Sequence, residues 1–553
     1  IETTFTQTPA TEQEVNREKD DQATMFERLL ADPESFGIEL SDYIALGDWR
    51  LFFVDREESK ALTPAKVDAV AKKYFVRDNR VVGVYLPTTD LKRAEMPKDP
   101  TVDEILSQYT FSKEGKSAEA FDTDQANIDA RTTLLDIGGV RVALLPKKSL
   151  GETVEVRLKF LNGNLETSAN MARNMVTSQM FMRGAKGLDR EQIEDAFTAL
   201  KMEGNPFDFT TDRAHLDEAL TLVGTLINSP TFPKSEFETL RSKLLTGLKA
   251  KLDDPGVLAR DTLTKHFNLY PKNDARHQET SDEVIAELNA LTDKEVAQYY
   301  KDVFQSGRGY VVLVGDFEPE KVIETLKAKV LGLKNSDVAF VRPVAEYRPV
   351  APKRYVIDTP EKENAVLFTR VTFKANDDDA DTAALYVADW IMGGSTGLSN
   401  RIVNRLRQKE GLSYGVSSAM KIPRFGDNAS WTIGAIVAPQ NLKQAEASLM
   451  DELQRAYKDG VTQQELDEAK QGLLDYRAVN RAQDTVLASS WVRLMEKDKT
   501  WASSKAMDER IANLTLDEVN AALRRFVNPE GLTVVLAGDL AKAKAAGKDF
   551  SQR

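Results

Sequence analysis

Apolar residues at helical spacing give way three times along this chain to a short β-branched run. LTPAKVDAVAKKYF precedes VVGVYLP, LTDKEVAQYYKDVF precedes YVVLVGD, and LTLDEVNAALRRFV precedes LTVVLAGD. In each case a Thr stands where its hydroxyl can cap the first turn, the apolar positions line one helix face, and the run that follows reads as a strand. The capping positions Thr63, Thr292 and Thr515 lie 229 and 223 residues apart. Earlier helix starts, TEQEVNREK at Thr11, SEFETLRSK at Ser235 and TQQELDEAK at Thr462, precede these landmarks by 52, 57 and 53 residues. The spacing predicts one incomplete repeat followed by two complete ones.

Residues 1–89 form the incomplete repeat. Thr11 and Glu14 make a capping box, helical stretches follow over 25–46 and 63–75, and a strand over 81–86 ends at Pro87. A single strand makes no sheet, so its partners are expected in sequence preceding residue 1. Pro97, Pro100 and weak periodicity mark 90–130 as a linker. The first complete repeat, 131–334, opens with strands over 133–137 and 140–145 joined by Gly138-Gly139 as a hairpin, then a strand over 154–160. Helices are predicted over much of 167–204 and 213–228, with long helical segments after Ser235. Pro343, Pro349 and Pro352 mark a second linker, 335–353. The second complete repeat, 354–553, carries strands over 355–358, 366–373 and 431–437 and a helix over 381–392. With βαβ alternation weak, the pattern predicts an α+β fold of mostly antiparallel sheets packed against helices.

The stretch LSNRIVNRLRQKEGLSYGVSSAM, 398–420, turns from a helical pattern into a strand. Leu398, Ile402 and Leu406 share a helix face, Arg401, Arg405, Arg407 and Lys409 lie mostly on the other, and Gly411 is placed to end the helix. Tyr414, Val416 and Ser418 are expected on one face of the strand. Arg407 and Tyr414 stand seven residues apart across a turn, so a guanidinium and a phenol can converge on one ligand oxygen. Neither is a ready base at neutral pH, but both donate hydrogen bonds to developing negative charge. The structural alternative is a helix-end ion pair and a ring that fills the sheet.

Composition narrows the chemistry. A chain of 553 residues needs several cores, and 41% apolar with 29% charged residues describes a globular protein. Lys and Arg number 74 against 87 Asp and Glu; the net charge of −13, with no basic stripe, argues against nucleic-acid binding. No apolar run of about 20 residues is present to span a membrane. The absence of Cys removes disulfides and thiolate ligands. His215, His266 and His277 are the whole histidine complement, and no two have i,i+4 spacing, so no zinc centre is assigned to this chain. MGGSTGLSN lacks the Gly-Lys-Ser/Thr ending of a phosphate loop. Asp377, Asp378, Asp379 and Asp381 read as helix-leading acids rather than a calcium loop. Met175, Met180, Met182 and Met202 read as core.

The run LRQKEGLSYGVSS, with the endings VVLVGD and VVLAGD in units of about 220 residues, closely resembles the C-terminal half of the pitrilysin-like M16 zinc metallopeptidases. The resemblance implies two halves of two α/β domains each, closing around an unfolded peptide. One half carries an inverted HxxEH zinc motif; the other supplies an Arg/Tyr pair, which falls on Arg407 and Tyr414 as donors to the substrate carbonyl or oxyanion. In MARNMVTSQMFMRG the two His positions of the motif are Met175 and Gln179 and its Glu position is Ser178, and FETLRSKLL lacks the downstream acidic ligand. By resemblance, 1–89 is the end of a second domain, 131–334 a third with a degenerate zinc helix, and 354–553 a fourth carrying the Arg/Tyr pair. The zinc-bearing first domain is not in the sequence, so zinc would belong to the completed enzyme and this chain alone is expected to be inactive. The expected partners are an unfolded peptide and a zinc-bearing N-terminal half or separate M16-like subunit. A noncatalytic peptide-binding or assembly subunit is the alternative. The lack of Cys, the absent initiator Met and the resemblance to bacterial members of the family favour the periplasm, with the cytoplasm as the alternative.

Overall fold

The computed structural model describes residues 8–75, 102–107, 118–394 and 400–545. The predicted strand over 81–86, most of the 90–130 linker, and Gly397 and Leu398 lie outside these.

Two sheets organise the chain. The first contains β1 (Thr133–Ile137), β2 (Val140–Pro146), β3 (Thr153–Phe160), β6 (Glu203–Asn205), β7 (Asp208–Asp212) and β8 (Gly309–Gly315), while β4 (Gly184–Ala185) and β5 (Leu188–Asp189) form a small separate hairpin. The second contains β9 (Arg354–Asp358), β10 (Ala365–Lys374), β11 (Ser413–Lys421), β12 (Asn428–Val437) and β13 (Thr533–Gly538). In the first the spatial order is β1-β2-β8-β3-β7-β6, and in the second, read from its other edge, β9-β13-β10-β12-β11. From β2 and from β9 onward the two orders coincide. In each, the strand that follows the Thr-capped helix (β8, β13) enters the middle of its sheet, parallel to one neighbour and antiparallel to the other. The repeat read in the sequence is thus a repeat of topology, and the fold is α+β with mostly antiparallel sheets.

Local chemistry accounts for the elements. Thr292 and Thr515 accept from the backbone N–H of Glu295 and Glu518, whose carboxylates bond back to the Thr N–H at 2.8 Å, closing capping boxes. Thr11 and Thr462 begin helices in the same way, and Thr63 caps Pro64–Tyr74 through Lys66 N–H. Gly138 and Gly139, at φ 61° and 95°, make the tight turn between β1 and β2. Several expectations are corrected. The helical stretch over 25–46 breaks at Asp32, held extended ahead of Pro33, and a further helix, Leu51–Lys60, follows. The helix after Phe232 is capped at Pro233, not Ser235. Within 167–204 two helices form, Met171–Met180 and Arg190–Ala199, with β4 and β5 between them. The strand predicted over 154–160 is β3, and β8 lies between it and β2. The helix predicted over 381–392 ends at Asp389 and continues as a π-helical turn, Trp390–Gly394.

Each sheet is covered on both faces, which is why β8 and β13 read as unbroken apolar runs. One face packs on helices of its own unit: Met171–Met180 and Leu216–Asn228 for the first sheet, Thr382–Asp389 and Leu442–Asp459 for the second. The opposite face is closed by one helix of the other unit. Asp484–Met495 lays Leu487, Ala488, Trp491 and Met495 on Ala143, Leu145, Val312 and Val314, while Pro255–Phe267 lays Ala259 and Leu263 on Val366, Val535 and Ala537. Burying each such Leu or Val contributes about 1.5–3 kcal/mol, so the exchange of helices holds the units together.

An ionic hub stands at the same junction. The Glu496 side chain has no exposed surface and pairs with Lys159 of β3 and with Arg342, both at 2.9 Å, while Arg424 Nη1 approaches at 2.8 Å as a Coulombic contact without hydrogen-bond geometry. Burial pushes the Glu496 carboxyl up, but the three cations outweigh it and hold it below the ordinary range. The acidic cluster near Asp377 is absorbed similarly: Asp377 and Asp378 pair with Lys497, Asp378 also with Lys499, and Asp381 with Arg525 at 2.9 Å.

Candidate functional site

Arg407 lies in a π-helical turn, Asn404–Lys409, in which Glu410 N–H bonds to Arg405 O at 3.2 Å and Leu412 N–H to Leu406 O at 2.8 Å. The wider turn follows from two demands: Ile402 and Leu406 are anchored in the core with no exposed surface, and the chain must reverse at Gly411, at φ 60°, to enter β11. Three of the four basic residues of this segment diverge in role. Arg401 grips Glu465 at 2.6 and 2.7 Å, and Arg405 pairs with Glu410, whose other oxygen accepts from Ser448 Oγ at 2.6 Å. Arg407 is exposed and makes no ion pair among the described residues.

Tyr414 is 86% exposed, the most open large hydrophobic residue among those described. The register of β11 against β12 slips between Ser413 and Gly415, so Tyr414 is the extra residue of a β-bulge. Ser413 Oγ sits 2.9 Å from Gly415 O and 2.7 Å from Ile436 O, clamping the bulge to β12. This corrects the expected face: Val416 packs on the core and Ser418 bonds inward, whereas the bulge turns Tyr414 out of the alternation. The structure brings Arg407 and Tyr414 together, with the guanidinium carbon 5.5 Å from the ring centroid. That contact is worth about 0.5–1 kcal/mol at an exposed site, and it leaves N–H groups and the phenol O–H free to donate.

Under the far part of β11 is a buried acid that sequence reasoning missed. Asp389 closes the helix Thr382–Asp389 and accepts from Ser418 Oγ, from Met420 N–H at 3.1 Å and from Trp431 Nε1 at 2.9 Å, tying the helix to β11 and β12. Burial pushes its pKa up, opposed by these three donors. Gly394 packs against it so closely that a Cβ would stand 2.4 Å from Oδ2. An acid inside the apolar run ALYVADWIM was the available signal.

On the helix Met171–Met180, Met175 is half-buried against the first core while Ser178 and Gln179 are exposed. A thioether, a hydroxyl and a carboxamide are not a zinc ligand set, and among the described residues no three His, Asp or Glu side chains are grouped to hold a metal. These residues do not fit zinc. The three histidines are engaged elsewhere: His215 Nδ1 with Asp212 at 2.7 Å, His266 with Tyr355 Oη and Ala351 O, both at 3.0 Å, and His277 with Tyr270 O at 2.8 Å. Burial lowers the pKa of His266. No helix among the described residues is long and apolar enough to cross a membrane.

The family model described as peptidase M16 inactive domain matches residues 290–473. A non-peptidase homolog of Helicobacter pylori, YmxG, is 23% identical over 59% of this chain and 73% of its own. An uncharacterized zinc protease of Streptomyces coelicolor is 24% identical over 71% and 86%. A solved peptidase M16 inactive domain from Pseudomonas fluorescens shares the fold with a TM-score of 0.62 at 20% identity, over 74% of this chain and 97% of that one. The periplasmic protease PqqL of Escherichia coli does so with a TM-score of 0.59 at 13% identity, over 97% and 62%. With its doubled sheet topology and a matched segment reaching from the Thr292-capped helix through β11 and β12, the chain has the fold of the peptidase M16 inactive domains and carries a match to that family's inactive-domain model over residues 290–473.

Proposed function

We propose that this chain is the C-terminal part of a zinc-dependent metalloendopeptidase that encloses unfolded peptides, with the zinc centre supplied by another, HxxEH-bearing half. The observation that carries the reading is the exposed Arg407–Tyr414 pair, a cation and a phenol set side by side by a π-turn and a bulge. Their part is electrostatic: both donate to a substrate carbonyl oxygen as it gains negative charge, and neither accepts the proton of the attacking nucleophile. In this reading residues 1–89 end a second domain, 131–334 and 354–553 are the third and fourth, and 335–353 links them.

The exposed face of Pro64–Tyr74 supports the incomplete second domain. Val67 and Val70 are 36% and 55% exposed, whereas Val296 and Val519, at the same step from their capping Thr as Val67, have no exposed surface because their helices pack into cores against Met171–Met180 and Thr382–Asp389. The face is built for a core. A periplasmic setting fits the likeness to PqqL and the lack of Cys.

The second reading, a noncatalytic peptide-binding or assembly subunit, is favoured by the misfit of Met175, Ser178 and Gln179 to zinc and by the designation of YmxG as a non-peptidase homolog. The native assembly purified through this chain decides between them. Stoichiometric zinc together with an HxxEH-bearing polypeptide supports the peptidase; an assembly of intact mass without either supports the second reading.

A further inference from the structure

A cleft of about 640 Å³ opens beside the helix Met171–Met180 where β3, the β6–β7 turn and the helix Asp484–Met495 meet. It lies on the first sheet, away from Arg407 and Tyr414, which are not among its lining residues. Its floor is aromatic: Phe181, Phe207 and Phe304 stand in mutual contact, with ring centroids 5.1–6.4 Å apart. Such a floor accepts a planar or large apolar side chain.

Polar groups with spare capacity stand around that floor. Asn174 lines the cleft, its amide N–H₂ bonded to Ser168 O at 2.9 Å while its Oδ1 is buried without a partner. A buried acceptor left open is costly, so a ligand N–H there is favoured. At the rim, Arg493 donates to Ser490 Oγ at 2.8 Å and has no carboxylate within ion-pair distance among the described residues. Protein crowded around its guanidinium, and then Arg424, lower its pKa, so a bound anion relieves both. The other cations of the wall are already matched, Arg157 by Asp208 and Lys159 by Glu496 at 2.9 Å.

We infer that this cleft binds the C-terminal residue of a peptide ending in a large apolar or aromatic side chain, the ring on Phe181, Phe207 and Phe304, the amide N–H on Asn174 Oδ1 and the free carboxylate on Arg493. The degenerate zinc helix has thereby become one wall of a peptide-end site, with Ser178 at its opening. The inference deepens the peptide reading above by naming where a chain terminus is held, but it requires neither zinc nor the Arg407–Tyr414 pair.

Binding to the full chain is measured by titration calorimetry with an octapeptide ending in Phe, its C-terminal amide, N-acetylphenylalanine and N-acetylphenylalaninamide. The expected result is saturable binding of both acids, with the matching amides weaker by about tenfold, the size of one charge-assisted contact. N-acetylphenylalanine as tight as the octapeptide assigns the site to free aromatic carboxylates and overturns the peptide-end assignment; the octapeptide binding more tightly supports it. Arg493→Gln is expected to abolish the acid preference, and Ser178→Trp, at an exposed position, to block the cleft. Absence of saturable binding, equal affinity for acid and amide, or binding untouched by Ser178→Trp overturns the inference; the acid-against-amide comparison needs no variant. Because no turnover is read, failure here leaves the metallopeptidase reading to its own test, and loss of turnover there leaves this one standing.

Discussion

Replacing Glu496 with Gln tests what holds the two units together. The carboxylate has no exposed surface and faces Lys159, Arg342 and Arg424, drawn from β3, the 335–353 connection and the β11–β12 connection. Gln keeps the volume but strips the charge, leaving three partly solvated cations facing a neutral amide. Breaking a buried pair costs about 3–5 kcal/mol. The cations here are 43%, 24% and 33% exposed, and water recovers part of that cost, leaving roughly 2–3 kcal/mol. At about 2–4 °C per kcal/mol for a unit of this size, the unfolding midpoint should fall by roughly 4–12 °C. Urea unfolding at pH 7, followed by circular dichroism, reads the free energy directly. The carboxyl is held below its ordinary value, so its contribution is complete above about pH 4.5 and fades as pH falls through the depressed value. The variant and the parent should therefore converge in acid. A variant within ~0.5 kcal/mol of the parent at pH 7 would refute the hub.

Other outcomes follow from the same geometry. Glu279 and Glu287 share the N-terminus of Met171–Met180, and burial, then repulsion by Glu279, raise Glu287 to about 7. A raised carboxyl stabilises the fold fully below its unfolded pKa and loses that contribution as pH rises through 7, so Glu287→Gln should flatten the pH dependence of the melting temperature between about pH 4.5 and 8. Asp389→Ala strands the Ser418 hydroxyl and the Met420 N–H beneath β11, while Trp431 Nε1 keeps Ser418 Oγ at 2.7 Å, and should cost about 2–3 kcal/mol in denaturant titration, whereas Asp389→Asn should recover part of it. In Gly309→Ala a Cβ would meet Lys159 O at 2.1 Å from a backbone at φ 152°; a loss of at least about 2 kcal/mol is expected, read by thermal melting.

The sequence carried the repeat because helix capping and strand composition are local: Thr292 with Glu295, Thr515 with Glu518 and the runs that became β8 and β13 depend on neighbours within one turn or one strand. Strand order was not local. Nothing in YVVLVGD says that it enters between β2 and β3, since that follows from closing a long excursion with a sheet face on both sides. At the candidate site, the convergence of Arg407 and Tyr414 was legible from the turn at Gly411, but their exposure was not. Period-two reasoning put Tyr414 with Val416 and Ser418, and one unpaired residue reversed that. The cleft was illegible because its wall combines Asn174, Phe207 and Arg493, residues that only the exchange of helices between units brings together.

The most direct measurement of the central claim is steady-state peptide hydrolysis by the proposed zinc-bearing assembly with Arg407→Ala or Tyr414→Phe in this chain. Donors that act on developing charge should lower kcat by roughly 10²-fold each while substrate affinity changes far less. Unchanged turnover in both variants would contradict the account.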